Sequence, residues 1–280
     1  MAEQIWDSLA RLNAGERFKA QSAEMGAAVT EAIVEAAQLA AGMRALDVAC
    51  GAGEPSISLA TRLKEMGGEA GLGTGSVIGM DMAGAPLEVA RERARVRGLD
   101  NVEFVQGDVH AMPFAGCSFD RVTSRLGVMF FADLAKALAE MHRVLRPGGG
   151  VALLVWGPME QPYFETTIGT VRRMRPELAV PETARAMFKF GKAGTLSRAL
   201  AEAGFGVADE QLQRLRWNWH GTPEEMWEYF RAITVPFRGL LEKVEGDAAV
   251  EQAVLAALRE RFDGEWVRFE AQMVVARAVR

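Results

Sequence analysis

The stretch Ala45-Leu46-Asp47-Val48-Ala49-Cys50-Gly51-Ala52-Gly53-Glu54-Pro55-Ser56-Ile57 joins an apolar segment to a glycine turn and the start of a helix. Its first part, around Leu46 and Val48, has the near-continuous apolar character that is typical of a buried parallel strand. Gly51 and Gly53 allow a sharp turn and bring backbone N–H groups close to a ligand. The stretch therefore predicts a strand, a glycine loop and a helix in that order.

Two common phosphate-binding patterns do not fit this turn. The third glycine of a dinucleotide fingerprint would fall at Ser56, and the glycine-lysine pair of a phosphate-binding loop is missing. Asp47 lies inside the strand end, where its carboxylate would repel a phosphate and attract an ammonium group. The turn therefore favours a ligand that carries no phosphate.

Two more acidic residues end the next two apolar strands of the chain. Asp81 follows Val77-Ile78-Gly79-Met80, at a position where a carboxylate can accept both hydroxyls of a ribose. Asp108 follows the strand predicted over residues 102–107. Three carboxylates at successive strand ends suit a ligand with a ribose and a positive charge but no phosphate. S-adenosyl-L-methionine has this chemistry.

At these residues the chain resembles the class I S-adenosylmethionine-dependent methyltransferases, specifically the small-molecule branch that includes ubiquinone- and menaquinone-type methyltransferases. The resemblance covers roughly residues 40–157, and the order and spacing of its motifs carry it: Leu46–Gly53, Gly79–Met82, Gly107–Phe114, Ser118–Val122 and Arg143–Gly149. Ala49 departs from the family pattern, which usually has its first glycine at this position. The substitution is small and leaves the cofactor assignment standing.

The resemblance implies a cofactor site for S-adenosyl-L-methionine, with S-adenosyl-L-homocysteine as the product. The residues that it assigns to this site are Asp47, Ala49, Gly51, Gly53, Asp81, Met82, Asp108, Val109, Ser124 and Arg125. Asp47 would contact the amino acid end of the cofactor, and the backbone of the glycine turn would line it. The turn near Ser124 and Arg125 would place a carbonyl beside the ammonium group.

The same resemblance implies how the adenosine half would be held. Asp81 would bind the ribose hydroxyls, and Met82 would pack on the adenine ring. Asp108 would accept a hydrogen bond from the adenine amino group, and the N–H of Val109 would reach a ring nitrogen. Each acid alone could equally be a solvated loop end or a helix cap, but the three together favour the cofactor site.

Alternating strands and helices predict an α/β fold with right-handed crossovers and a doubly wound sheet. The resemblance implies a mostly parallel, seven-stranded, Rossmann-like sheet with helical lid insertions. We expect N-terminal helices over 1–43, an α/β cofactor-binding core over 44–157, a helical insertion over 158–193, and the remaining strands over 194–280 with a second lid segment over 222–263. The lid segments would contribute an apolar pocket for the methyl acceptor.

The N-terminal helices allow two interpretations. Their apolar positions recur at helical spacing, which is enough to explain them as a cover for the sheet. Alternatively, Trp6 and Phe18 help to close the cofactor pocket, as the N-terminal helices of family members often do.

The composition limits the class of protein. The chain has 280 residues, 49% hydrophobic and 25% charged, with a formal net charge of -5, which predicts an ordinary globular protein. The acidic balance argues against a nucleic-acid surface, which needs clustered Lys and Arg. Two cysteines, Cys50 and Cys117, cannot form a disulfide framework. The sequence also shows no apolar run long enough for a membrane span and no signal-peptide core, so a cytoplasmic location is expected. A homodimer through the helical segments is compatible with the sequence.

Methyl transfer from a sulfonium needs alignment of donor and acceptor above all, and a general base would help with an acidic acceptor. The three histidines are the candidates for this base. His220, at the expected end of the sixth strand and before the second lid segment, is placed better than His110, which would face the cofactor, or His142, on a helix. No His and Cys residues show metal-ligand spacing, so no metal is expected.

The sequence therefore predicts a methyltransferase that acts on a small, apolar or aromatic molecule at an oxygen, nitrogen, carbon or sulfur atom that the sequence does not identify. Methylation of RNA or protein is the first alternative, and the acidic balance counts against it. A protein that binds S-adenosyl-L-methionine without turnover is the second, because the motifs report binding rather than catalysis. A nicotinamide oxidoreductase is disfavoured by the missing third glycine and by Asp47.

Overall fold

A computed structural model of the protein describes residues 9–70 and 73–280. The role suggested for Trp6 lies outside these residues. The helices are α1 (Leu9–Arg17), α2 (Lys19–Ala36), α3 (Ser56–Ala70), α4 (Gly84–Val96), α5 (Leu134–Val144), α6 (Pro162–Phe164), α7 (Thr170–Met174), α8 (Glu182–Ala186), α9 (Thr195–Glu202), α10 (Pro223–Ile233), α11 (Arg238–Leu241) and α12 (Ala248–Arg259). The strands are β1 (Arg44–Val48), β2 (Ser76–Asp81), β3 (Val102–Gln106), β4 (Phe119–Arg125), β5 (Leu145–Trp156), β6 (Asp209–Arg216), β7 (Trp219–His220), β8 (Trp266–Val267) and β9 (Glu270–Val279).

The chain forms two compact units. The core unit contains Thr30–Val155, Lys192–Leu212 and Val274–Arg280, and the helical unit contains residues 1–29 (described from Leu9), Trp156–Gly191 and Gln213–Met273. Each unit is built from separate stretches of the chain, and four of the boundaries fall inside α2, β5, β6 and β9. The four consecutive segments expected from the sequence stay a prediction about domain organisation.

Seven strands form one sheet in the order β3-β2-β1-β4-β5-β9-β6. β1 pairs in parallel with β2 on one side and with β4 on the other, β2 pairs in parallel with β3, and β4 with β5. This confirms the predicted mostly parallel, seven-stranded sheet. The strand order reverses between β1 and β4, and ligands of open α/β sheets bind at such a switch point, at the carboxyl ends of the strands.

The helix that follows the glycine turn is anchored by its apolar face. Ile57, Leu59, Ala60 and Leu63 of α3 are at most 1% exposed, and the last three pack in one core cluster with β1 and β2 residues such as Ala45 and Val77. This spacing of apolar side chains is that of one helix face. Burial of these side chains fixes the start of α3 beside the end of β1.

The helical unit is held together by aromatic side chains. Tyr163 is buried, lies parallel to Trp156 at a centroid distance of 6.1 Å and meets Trp217, Phe230 and Phe269 edge-on. Edge-to-face and offset arrangements of this kind add to the stability that burial alone provides. These contacts form the aromatic core of the helical unit.

The sequence-based position of His220 is wrong in one respect. His220 does not end the sixth strand of the main sheet, because β6 stops at Arg216. His220 lies instead in β7, which pairs antiparallel with β8 in a separate two-stranded sheet. Its partner β8 is separated from β9 of the main sheet by Arg268 and Phe269.

Candidate cofactor-binding site

The ten predicted cofactor residues belong to the core unit and lie at or just beyond the carboxyl ends of four strands. Asp47, Ala49, Gly51 and Gly53 belong to β1 and its turn, Asp81 and Met82 to the end of β2, Asp108 and Val109 to the segment after β3, and Ser124 and Arg125 to the end of β4. The topology thus brings these residues to one edge of the sheet, beside the switch point. His220 belongs to the helical unit.

The turn after β1 contains three residues with left-handed backbone. Ala49 has φ +60°, Gly51 has φ +53° and Gly53 has φ +104°. A Cβ at Gly51 would meet nothing within 4 Å, whereas a Cβ at Gly53 would lie 2.9 Å from Ile57 Cδ1 and 3.1 Å from Ala90 Cβ. Gly51 therefore borders open space that a ligand can fill. Gly53 allows the turn to pack closely against Ile57 of α3 and Ala90 of α4.

Ala49 is the unexpected member of this turn. A residue with a Cβ adopts the left-handed conformation only at a cost of about 1–2 kcal/mol. The sequence indicated only that alanine replaces the usual glycine, and the structure shows that alanine takes up the glycine-like backbone. Residues in such conformations cluster at functional sites, where the surrounding fold holds them in place.

The turns after β1 and β4 approach each other closely. A Cβ placed on Gly127 would lie 2.6 Å from Ser124 Oγ and 2.7 Å from Ala49 Cβ. Both distances are too short for a methyl group, so only glycine fits at residue 127. The sequence analysis did not single out Gly127, because a glycine two residues after a predicted strand end looks like an ordinary turn.

Ser124 carries a buried hydroxyl group without a partner. The side chain is 0% exposed, and its Oγ has no hydrogen-bond partner among the residues that the structure describes. Leaving a buried hydroxyl unpaired costs about 1–3 kcal/mol. Because the hydroxyl is enclosed by the chain, we assign it to the close packing of the two turns and not to a direct contact with a ligand.

Asp81 connects two loops at the end of β2. Its Oδ2 accepts a hydrogen bond from the backbone N–H of Gly51 at 2.8 Å, and its Oδ1 accepts one from the N–H of Ala83 at 2.9 Å. Each carboxylate oxygen can accept a second hydrogen bond. Asp81 therefore holds the glycine turn and the start of α4 in place, and has acceptor capacity left for hydroxyl groups.

Asp108 is tied to the residue two positions later. Its Oδ1 accepts from the backbone N–H of His110 at 2.9 Å and lies 2.6 Å from His110 Nδ1. The backbone N–H of His110 is the main reason that the pKa of the Asp108 carboxyl lies below its ordinary value. Asp108 is therefore an ionised acceptor on an exposed loop, with 65% of its side chain accessible.

Asp47 differs from the other two acids, because it is completely buried. Its Oδ2 accepts from Ser56 Oγ at 2.6 Å, and its Oδ1 accepts from Thr123 Oγ1 at 2.9 Å. Burial raises the pKa of Asp47 to about 7, against the opposing effect of these two hydroxyl groups and of the Arg125 charge. Burial also raises the pKa of the Cys50 thiol. This arrangement favours Asp47 as a support for the turn over a direct contact with a ligand.

The remaining predicted residues differ in exposure. Met82 is 46% exposed, as a side chain that packs on a ligand ring would be, and Val109 is buried. The backbone carbonyl of Met82 accepts a hydrogen bond from Gln106 Nε2 at 2.9 Å, which fixes the segment after β2. Arg125 Nη1 donates to Thr30 Oγ1 of α2 at 3.3 Å.

The side chain of His220 is 48% exposed and stacks on Trp266, with a centroid distance of 4.4 Å. Its Nδ1 lies 3.5 Å from Glu24 Oε2, and its Nε2 lies 3.5 Å from Glu265 Oε1. These contacts favour a stacking role on Trp266. His142 meets Phe205 edge-on, and burial is the main cause of its lowered pKa.

Sequence reasoning missed Ser56 and Thr123, which hold Asp47. Ser56 was considered only as a replacement for a glycine, although it is the first residue of α3 and follows the acid by nine positions. Thr123 lies directly opposite Asp47 in the pairing of β1 with β4. A polar residue at the centre of a predicted buried strand is the signal that could have identified Thr123, because buried acids require partners.

The part of the chain that the structure describes offers neither a metal site nor a membrane-spanning helix. Within 9–70 and 73–280, no three His, Cys, Asp or Glu side chains cluster in a way that could hold a metal ion. No helix in this part of the chain has the length and apolar character that a membrane span requires.

The geometry agrees with comparisons to known proteins. Residues 39–161 match a family model described as a methyltransferase domain. The chain is 36% identical over 182 residues to a demethylmenaquinone methyltransferase of Thermus thermophilus, covering 60% of this chain and 77% of that one. It is 40% identical over 124 residues to the demethylmenaquinone methyltransferase of Staphylococcus aureus, covering 44% of this chain and 47% of that one, so it spans about half of that relative.

A solved structure extends the likeness of the fold. Phosphoethanolamine N-methyltransferase 2 of Haemonchus contortus in complex with S-adenosyl-L-methionine matches with a TM-score of 0.53 and 17% identity. The match covers 90% of this chain and 52% of that chain. At this identity the likeness concerns the fold alone, and it extends beyond the residues of the family model.

Proposed function

Because the chain belongs to the family of class I S-adenosylmethionine-dependent methyltransferases, we propose that it transfers a methyl group from S-adenosyl-L-methionine to a small, apolar or aromatic molecule. The single observation that best supports this is the convergence of Asp81, Asp108 and the glycine turn at the carboxyl edge of the sheet. The two acids offer carboxylate oxygens to a ribose and an adenine, and the turn leaves open space at Gly51 for the amino acid end.

The bound cofactor supplies an electrophilic methyl group on a sulfonium. The contribution of the chain is then to hold donor and acceptor in line, which is catalysis by proximity and orientation. Asp81 supports this by fixing the glycine turn through Gly51 and the start of α4 through Ala83. The buried carboxylate of Asp47 supports the same turn by accepting hydrogen bonds from the hydroxyl groups of Ser56 and Thr123.

The acceptor is proposed from the relatives. The matched proteins from Thermus thermophilus and Staphylococcus aureus are named as demethylmenaquinone methyltransferases, so a naphthoquinol is the first acceptor to test. His220 stays a proposed general base, and the homodimer and the cytoplasmic location stay predictions from the sequence.

The decisive experiment follows a labelled methyl group from S-adenosyl-L-methionine into three acceptor pools: a demethylated naphthoquinol, a small-molecule extract, and an RNA-plus-protein fraction. Label in an organic-extractable product supports the proposal, and loss of that label in Asp81→Asn assigns it to the site described here. Label only in macromolecules would replace the proposal with the first alternative. Binding of S-adenosyl-L-homocysteine without any transfer would favour a non-catalytic binding protein.

A further inference from the structure

His110 links the acid that ends the third strand to the start of the helix after the fourth. One ring nitrogen, Nδ1, lies 2.6 Å from Asp108 Oδ1, and the other, Nε2, accepts a hydrogen bond from the backbone N–H of Asp133 at 3.2 Å. Asp133 is the N-cap of α5, and its own carboxylate accepts from the N–H of Lys136. The ring thus joins the loop after β3 to the N-terminus of α5.

These contacts determine where the proton of the neutral ring resides. The backbone N–H of Asp133 can only donate, so Nε2 must be the nitrogen without a hydrogen. The proton of the neutral imidazole is therefore on Nδ1, where it is donated to Asp108. Oδ1 of Asp108 then receives two donors from one residue, the backbone N–H and the ring N–H of His110.

The arrangement leaves the other carboxylate oxygen available. Among the residues that the structure describes, no donor reaches Oδ2 of Asp108, and the carboxylate is fixed in its plane by the two bonds to Oδ1. A fixed carboxylate oxygen accepts from an amino group and repels a carbonyl oxygen. This distinction is the one that separates adenine, which has an amino group at position 6, from hypoxanthine, which has a carbonyl there.

The rest of the loop is tied to the same helix, so His110 has a rigid support. Glu140 Oε2 accepts from the N–H of Met112 at 2.8 Å, and Arg143 donates to the carbonyl groups of Phe114 at 2.8 Å and Met112 at 3.2 Å. Phe131 meets the ring of His110 edge-on at 6.4 Å. Rigid support of this kind is what a positioning residue needs.

We infer that His110 is a positioning residue that fixes Asp108 and thereby sets the preference of the cofactor site for adenine over hypoxanthine. The inference rests on the proposed function, since it assumes that Asp108 binds the base of S-adenosyl-L-methionine. It assigns His110 a task distinct from that of a general base, because both ring nitrogens are engaged by the protein.

The test measures by calorimetry the dissociation constants of S-adenosyl-L-homocysteine and of its deaminated analogue S-inosyl-L-homocysteine. We expect wild type to prefer the adenine compound and His110→Ala to lower this preference roughly three- to tenfold, because Asp108 keeps its charge and the backbone bond to residue 110 and loses only the ring N–H. His110→Asn should restore most of the preference, because the amide can donate from nearly the position of Nδ1. His142→Asn, in a histidine paired with Phe205 outside the site, is the matched control and should leave the preference unchanged.

The outcomes separate the two proposals. An unchanged preference in folded His110→Ala, or equal losses in His110→Ala and His110→Asn, would overturn the positioning role while leaving the proposed function intact. If His110→Ala does not fold, His110→Asn is compared with His110→Gln. A preference for the adenine compound that is retained only in the asparagine variant supports the positioning role. The same preference in both variants overturns it. Wild type that binds neither compound would overturn the proposed function, and this inference with it.

Discussion

Oδ2 of Asp81 accepts a hydrogen bond from the backbone N–H of Gly51 at 2.8 Å, across an interval of 30 residues in the chain. The carboxylate therefore serves the glycine turn and the proposed ribose site together. For Asp81→Asn we expect the dissociation constant of S-adenosyl-L-homocysteine to rise about 10- to 100-fold, as charge-assisted hydrogen bonds are worth roughly 1.5–3 kcal/mol each. Isothermal titration calorimetry measures this change directly.

The matched control for that substitution is Asp100→Asn. Asp100 is an exposed carboxylate that pairs with Lys64 at 3.1 Å, so the same change of charge occurs on the surface. The control should bind S-adenosyl-L-homocysteine as wild type does. Equal affinities of Asp81→Asn and wild type would remove Asp81 from the cofactor site.

Gly127→Ala tests the close approach of the two turns. The new methyl group would lie 2.6 Å from Ser124 Oγ and 2.7 Å from Ala49 Cβ, so one turn must move away from the other. We expect a loss of about 1–3 kcal/mol in the free energy of unfolding, as for other overpacked sites, together with weaker cofactor binding. Urea denaturation gives the first quantity, and calorimetry gives the second.

The comparison variant is Gly68→Ala on the exposed side of α3. A Cβ at Gly68 would meet nothing within 4 Å, and alanine is favoured over glycine in a helix by roughly 1 kcal/mol. This variant should be as stable as wild type or more stable. A Gly127→Ala protein that matches it in stability and binding would show that the turns are not tightly packed.

Asp47→Asn tests the buried carboxyl through the pH dependence of stability. The pKa of Asp47 is about 7 in the folded protein, above its ordinary value of 3.8, so the folded state holds this proton more tightly than the unfolded state. The stabilisation is complete below the ordinary pKa and is lost as pH rises toward 7, at up to about 1.4 kcal/mol per pH unit. The free energy of unfolding of wild type, relative to Asp47→Asn, should therefore fall between pH 5 and pH 7.

Urea denaturation at half-unit steps of pH gives that difference. Asp100→Asn is again the comparison, because Lys64 holds the pKa of the Asp100 carboxyl below its ordinary value and the group does not titrate in this window. Its free energy of unfolding should follow that of wild type. Parallel curves for wild type and Asp47→Asn would mean that Asp47 is ionised throughout, with a pKa near its ordinary value.

Ala49→Gly tests the left-handed backbone of the glycine turn. Glycine removes the cost of the Cβ at φ +60°, about 1–2 kcal/mol, and adds an entropy cost of roughly 0.5–1 kcal/mol. We expect the variant to be stabilised by up to about 1 kcal/mol. Ala139→Gly, at an exposed position of α5, should instead lose about 1 kcal/mol. Similar losses in both variants would contradict the strain at Ala49.

The sequence was sufficient for the sheet and for the placement of the proposed cofactor residues at one edge of it. Apolar runs that end in Asp47, Asp81 and Asp108 define three parallel strands, and parallel strands bring their carboxyl ends to one edge. The apolar face of α3, which includes Ile57 and Leu63, could be predicted from the spacing of its apolar residues. These features depend on local pattern, which a single sequence contains.

Features that depend on the partner of a side chain could not be predicted in this way. The burial of Asp47 depends on Ser56 and on Thr123, which is 76 residues away in the chain. The position of His220 depends on its pairing with Trp266, which removes it from the main sheet. In both cases a contact between distant segments decides the environment of the residue, and no periodicity records such contacts.

The pKa of about 7 at Asp47 has a practical consequence for anyone who handles this protein. At neutral pH a purified sample would be a mixture of two protonation states that differ in stability. An amine buffer becomes more acidic on heating, whereas phosphate changes little. The fraction of the protein with a protonated Asp47 would therefore differ between the two buffers near the melting temperature. The difference in melting temperature between wild type and Asp47→Asn should then be more favourable to wild type in the amine buffer than in phosphate, even when both solutions are set to the same pH at room temperature.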